Sequence, residues 1–400
     1  MNKSLDLIEE QLYRHASNMS LPTIEEDLGV LLFEATFYKY SQNEAYKEKT
    51  LNLLDKAIDK FSSMDLPSGF FEGFEGIFWV IHYLHKCGII PDEDMLDDMK
   101  PFLLQSLQVD FNVNGFDPIH GNIGKLQYIL SAENHAGFDV EIIIDNFLDS
   151  LERHNQGKDG FVYWFDQNEP QDGLVNMGMA HGITAVLTFL SRLKELGLAN
   201  DQSDRLVNGI LKSLNQFKNP DYFDRNFPDH YSVITNMPVK PSSRLAWCYG
   251  DLSNAYALLY TGLVYQDEQL QLQAVKVVND VVNRGVTDSK IDHFDDYSFM
   301  DTAFCHGLSG IVYILSKINN ILNDPMIEKR ISYWENELHK NLAVQLQIAG
   351  DIYYPWYRQD ESRSFILDRC SLLTGHTGTG LVLLSRAYKQ YDWSNIFQLY

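Results

Sequence analysis

Six times along the chain a short glycine-bearing signature opens an apolar stretch: Gly73-Phe-Glu-Gly76, Gly121-Asn-Ile-Gly124, Gly182-Ile-Thr-Ala185, Gly250-Asp-Leu-Ser253, Gly307-Leu-Ser-Gly310 and Gly375-His-Thr-Gly378. Gly29-Val-Leu-Leu is a degenerate seventh. An internal repeat constrains architecture more than any single residue can. Glycine costs a helix roughly 1 kcal/mol against alanine, so its recurrence in first turns means that helix N-termini crowd together where side chains do not fit. The segments behind the signatures, such as 77–84, 183–190 and 311–315, are apolar nearly all round, as expected of helices walled in by neighbours. Between them lie segments with one apolar stripe and a charged back: Leu54, Ile58, Phe61; Leu206, Ile210, Leu214, Phe217; and Ile327, Ile331, Trp334, Leu338. The last of these starts at Asp324-Pro325, a capping residue followed by proline at the first helical position. β-type alternation is scarce. The pattern predicts an all-α fold, an α/α toroid (barrel) of seven inner and seven outer helices. It predicts one domain over 1–400, with repeat motifs over about 70–390 and a helical hairpin in 1–65.

Three stretches break the rhythm, 153–176, 219–243 and 347–369, and all are rich in Tyr, Phe, Trp, Asp and Pro. Connections of this length are often functional, and they are expected at the toroid's mouth, either contacting a peptide or packing over the barrel end. Acidic residues outnumber basic ones 55 to 32, for a formal charge of −23, so sequence-independent attraction to nucleic acid or anionic lipid is not expected. A neutral or cationic partner fits better. No apolar run approaches the ~18 residues of a membrane span, and the start lacks a signal-peptide pattern, which points to the cytoplasm. Cys87, Cys248, Cys305 and Cys370 include no CxxC pair, so a metal site would have to be assembled from distant segments.

Such a site is suggested at two inner-helix entrances. Cys248 stands in Trp247-Cys-Tyr-Gly250, and Cys305 and His306 in Phe304-Cys-His-Gly307. Spacing alone is weak, because buried structural thiols are common. If every inner helix starts at one rim, however, two thiolates and an imidazole are level with one another and can converge on one ion.

Taken in order with the Gly-x-x-Gly repeats, these two motifs resemble the lanthionine synthetase C family, over about residues 70–390. The resemblance implies an α/α barrel with one zinc ion on Cys248, Cys305 and His306, the fourth position left to water or a substrate thiol. Three protein ligands and one open position is the pattern of a catalytic zinc site. Two cysteinates and a neutral imidazole make the Zn²⁺ site formally neutral, and a substrate thiolate would make it −1, a site suited to releasing nucleophilic sulfur rather than polarising a carbonyl. Ionisation of a thiol with pKa near 8.5 gains at most ~30-fold at pH 7, so positioning must supply more. The implied reaction is addition of a peptide cysteine thiol to dehydroalanine or dehydrobutyrine, giving (methyl)lanthionine thioether rings. His181, in Gly178-Met-Ala-His-Gly182, matches the family's acid at Cα. Asp117, in Phe116-Asp-Pro-Ile-His-Gly121, matches an aspartate that orients that histidine or takes the thiol proton, although an aspartate before proline is also an ordinary turn residue. Arg244 matches an arginine that could stabilise the enolate, or it is a salt-bridge residue; Tyr249 is a second hydrogen-bonding group or packing. His120 departs from the family pattern and could share the mouth with His181, and His376 is similarly ambiguous. The partner implied is a dehydrated precursor peptide, leader plus core, with a separate dehydratase and an export transporter as further expected partners. Rival readings are a relative that adds glutathione to dehydroamino acids in proteins, a non-catalytic zinc-containing peptide scaffold, and a carbohydrate enzyme, which would need a carboxylate partner for Asp117 such as Glu75 or Asp251.

Overall fold

A computed structural model describes the chain except residues 1–2, 114, 132–136, 168–171, 222–224, 242–243, 295–297, 348–352, 355–364 and 367–369. The inner helices are α2 (Asp27–Ser41), α4 (Gly76–Lys86), α6 (Asn122–Ser131), α8 (Ile183–Glu195), α10 (Asp251–Val264), α13 (Leu308–Leu322) and α15 (His376–Tyr388). The outer ones are α1 (Lys3–Ala16), α3 (Glu44–Phe61), α5 (Lys100–Val113), α7 (Val140–His154), α9 (Asp201–Gln216), α11 (Glu268–Asn283) and α14 (Pro325–Gln345); α12 (Val286–Ser289) is a single turn. Every residue from Gly76 to Leu84 of α4 is buried, as the all-round apolar pattern requires. On α14 the stripe Ile327, Ile331, Trp334 and Leu338 is buried, and Asp324 caps the helix by accepting from the Met326 N–H at 2.8 Å. Ile58 departs from its expected stripe and is 40% exposed on α3, although Leu54 is buried.

The first 65 residues hold three helices rather than a two-helix hairpin. The first of them, α1, packs against α15 at the other end of the sequence, and α15 in turn packs on α2, so the ring closes on the first and last repeats.

The crowding inferred from the glycines has a specific source. The loops before most inner helices fold back on the first turn, so a Cβ on Gly310 would meet the carbonyl oxygen of Phe304, six residues earlier, and one on Gly378 would meet that of Leu372. Neighbouring loops press in as well: the Cβ of Phe304 lies against Gly378.

Backbone hydrogen bonds stitch these loops into a rim. Ile119 O accepts from Phe71 N, Phe71 O from Glu25 N, Glu25 O from Leu372 N, Leu373 O from Cys305 N, Cys305 O from Trp247 N, and Cys248 O from Met179 N, at 2.7–3.1 Å. The connections 153–176 and 219–243 meet over this rim: β1 (Leu174–Asn176), β2 (His230–Ser232) and β3 (Met237–Val239) form one antiparallel sheet, with Asn176 opposite His230. Two further short pairs are β4 (His293–Phe294) with β5 (Phe299–Met300), and β6 (Tyr353–Tyr354) with β7 (Phe365–Ile366). Most of 347–369 lies outside the described residues.

The lumen is filled from the C-terminal side of the chain. The segment from Asp392 to Tyr400, with a 3-10 turn at Trp393–Phe397, touches inner helices on several sides: Asp392 accepts from Tyr40, Trp393 packs on Tyr313 at 4.9 Å between ring centres, and Tyr400 O accepts from Tyr256 at 3.0 Å. Phe397 lies beneath the rim, 5.2 Å from the Trp247 ring and 4.3 Å from that of Phe304, and its carbonyl accepts from Trp247 Nε1 at 3.0 Å.

Candidate metal centre and active site

Cys248 and Cys305 belong to adjacent loops, and the Trp247 and Cys248 N–H groups both point at Cys305 O, at 3.0 and 3.3 Å. Gly250, two residues after Cys248, has φ of +91°, a left-handed conformation that lets the chain turn from the rim into α10 without a Cβ penalty. One Cys248 sulfur, one Cys305 sulfur and one His306 ring nitrogen all lie within 4.8 Å of one another. Around a tetrahedral ion with bonds near 2.3 Å the ligand atoms stand about 3.7 Å apart, so a small inward shift of these side chains suffices. Cys248 is buried and Cys305 half-buried. The Cys305 S–H hydrogen-bonds towards Cys248 and, with His306 and Arg244, holds the Cys248 thiol well below its usual pKa against the opposing effect of burial; Cys305, as the donor, is pushed up. Two sulfur donors and an imidazole suit a soft divalent cation.

At the remaining junction of the rim, between the loops before α6 and α8, side chains meet. His181 Nδ1 stands 3.6 Å from Asp117 Oδ1, too long for a hydrogen bond but within ion-pair range. Asp117 also caps its own turn, accepting from the Ile119 and His120 N–H groups at 2.8 Å each. Burial pushes its carboxyl up, and His181 with these N–H groups outweighs burial, so the pKa lies below the ordinary value. Burial opposes the imidazolium of His181, but Asp117, then Cys248 and Asp166, carry its pKa above 6.5. His120 stacks on His181, with ring centres 5.7 Å apart and planes 13° apart, and its Nδ1 is 3.8 Å from Glu72. It does share the mouth.

Arg244 Nη1 donates to Asp292 at 2.8 Å while its charge reaches both thiols. The Tyr249 hydroxyl accepts from Asn176 Nδ2 at 3.2 Å, and its ring covers Gly178, where a Cβ would collide with it. His376 is buried at the start of α15. Neither carboxylate weighed as a partner for Asp117 is available to a substrate. Glu75 is buried and accepts from Ser68, Ser106 and the Gly69 N–H, and Asp251 is buried against Arg284 and the Asn226 and Phe227 N–H groups.

Sequence reasoning passed over several groups that gather here. Asp166 Oδ2 is 3.1 Å from His230 Nε2 and 3.0 Å from Asn176 Nδ2, tying both connecting segments to Tyr249. Burial, then Cys248, raises Asp229 to about 6. Asp301 Oδ2 lies 3.3 Å from His306 Nε2, both side chains being almost fully buried. The repeats mark the position of Asp301, six residues before Gly307 as Asn176 is six before Gly182, but not the partner of its second oxygen.

No helix among the described residues is long and apolar enough to cross a membrane. Compared with known proteins, the chain is 24% identical over 347 residues to the nisin biosynthesis protein NisC of Lactococcus lactis subsp. lactis, covering 81% of this chain and 78% of that protein. A solved structure of nisin cyclase, 21% identical, superimposes with a TM-score of 0.75 over 99% of this chain and 96% of that one, in agreement with the toroid. The model of the lanthionine synthetase C-like protein family matches residues 27–398, and with nearly the whole ring of repeats inside that match, the chain belongs to this family.

Proposed function

We propose that the protein is a zinc-dependent cyclase that adds cysteine thiols of a dehydrated precursor peptide to dehydroalanine or dehydrobutyrine residues of the same peptide. The observation that carries the reading is the convergence of Cys248, Cys305 and His306 within 4.8 Å, at a rim that also bears the His181–Asp117 pair. Zinc bound by this donor set would supply the substrate sulfur as an electron-rich thiolate. A new C–S bond then forms at Cβ as the π electrons move towards the carbonyl. Arg244, a fixed cation beside the thiols, stabilises the enolate. His181 gives its proton to Cα, a step for which a raised imidazole pKa suits it, and general acids of this kind contribute typically 10²–10⁴-fold. Asp117 orients the ring and favours its protonated form. The proton shed by the thiol replaces the one His181 gives, so the reaction is balanced without a further reactant. Tyr249, tied to Asn176, holds one wall of the site.

The peptide, leader plus core, would approach over the β1–β3 sheet, and a separate dehydratase would act before it. A groove of about 700 Å³ lined by Phe161, Tyr163, Phe165, Phe217 and Tyr231 supports that path, because β2 runs from it to His230 beside Tyr249. The test begins with elemental mass spectrometry of the purified protein and of Cys248→Ala. About one zinc per chain, lost in the variant, is expected, followed by loss of free thiols when the wild type meets a dehydrated peptide. Wild type prepared with ample zinc yet holding none would refute the reading.

A further inference from the structure

The loops before α8 and α13 share one local design. Asn176 stands six residues before Gly182 and accepts through Oδ1 from the N–H two residues on, that of Gly178, at 3.0 Å. Asp301, six before Gly307, does the same for Ala303 at 2.8 Å. Each glycine is preceded by a histidine, His181 in one loop and His306 in the other. The turn itself needs one side-chain oxygen, and an amide supplies it as well as a carboxylate. The difference between the loops is therefore the second oxygen of Asp301, and this is the atom 3.3 Å from His306 Nε2. It occurs in the loop that sits with the two thiols and not in the loop of the proposed acid. Burying a carboxylate is costly unless it is matched by a donor, and Asp301 is 1% exposed.

We infer that Asp301 is a positioning residue for the metal: it holds His306 as the Nε2–H tautomer and turns Nδ1 towards the space between the Cys248 and Cys305 sulfurs. Fixing the distal N–H raises the basicity of the ligating nitrogen and removes rotational freedom that binding would otherwise have to freeze, and loss of such a partner typically weakens metal binding about 10–100-fold. The inference rests on the zinc reading of the same site.

Asp301→Asn preserves the turn, since its Oδ1 still accepts from Ala303, and removes only the acceptor facing Nε2. Zinc dissociation constants by chelator competition should show wild type binding tightly, Cys248→Ala failing, and Asp301→Asn weakened about 10–100-fold with its helical circular dichroism intact. A wild-type dissociation constant in Asp301→Asn overturns the inference. In case that variant does not fold, wild type labelled with ¹⁵N-histidine and loaded with ¹¹³Cd provides an independent reading. One-bond coupling of the metal to a histidine Nδ1 is expected, and coupling to Nε2 overturns the inference. Wild type that binds neither zinc nor cadmium would instead sink the underlying metal reading, so the two failures are distinguishable.

Discussion

Asp117→Asn changes one charge and little else at the mouth. The amide oxygen can still accept from Ile119 and His120, so the turn before α6 should survive. What disappears is a carboxylate 3.6 Å from His181 Nδ1. At an effective dielectric constant of 20 that separation corresponds to about 4–5 kcal/mol of attraction for the imidazolium. The His181 side chain is 32% exposed, so solvent screening brings a working figure down to about 2 kcal/mol. Two kcal/mol is about 30-fold in the imidazolium–imidazole ratio. The sign follows directly. Asp117 raises the His181 pKa, so its loss lowers it and the neutral ring takes over at lower pH. Initial rates of thiol consumption on a dehydrated peptide, measured for both proteins across the neutral range, should show a deficit that grows towards about 30-fold as pH rises above the wild-type His181 pKa and that shrinks in acid, where both imidazoles are protonated. Zinc content should not change. A deficit independent of pH, or no deficit, would refute the assignment of His181 as the acid and Asp117 as its support.

Phe397→Ala removes a fully buried ring from under both thiol-bearing loops and should cost about 3–5 kcal/mol in denaturant unfolding, with weaker zinc retention; a cost below about 1 kcal/mol would mean that the lumen segment does not brace the rim. Gly310→Ala should destabilise by about 1–3 kcal/mol because its Cβ meets the Phe304 carbonyl, and the displaced Cys305 should hold zinc less well. Glu34 is buried on α2, and burial, then Glu9, raises its pKa well above 4.5. A raised carboxyl pKa penalises the fold increasingly as pH rises above 4.5, so Glu34→Gln should stabilise by about 1–3 kcal/mol near neutrality and by progressively less towards pH 4.5. Thermal unfolding of both proteins at several pH values measures this, and a gain that grows in acid would contradict it.

Local pattern and repetition were enough to read the toroid, because helix periodicity and the glycines of first turns are properties of a few neighbouring residues. The same repetition levelled Cys248, Cys305 and His306 at one rim before any distance was known. The family resemblance, rather than the repetition, pointed to His181 and Asp117, which the fold brings within 3.6 Å of each other. Other features depend on closure of the ring, which no window of sequence contains. The pairing of α1 with α15 joins the two ends of the chain, and the burial of Trp393–Phe397 requires inner helices from distant repeats, α6, α13 and α15, to be in place. Ile58 keeps helical spacing but lies 40% exposed, since which face of an outer helix meets the core is decided by its neighbours. The sheet that unites 153–176 with 219–243 is made of three-residue strands, too short for alternation to show. Asp301 escaped notice because an aspartate in a turn reads the same whether its second oxygen faces water or a buried imidazole, and that choice belongs to the tertiary structure alone.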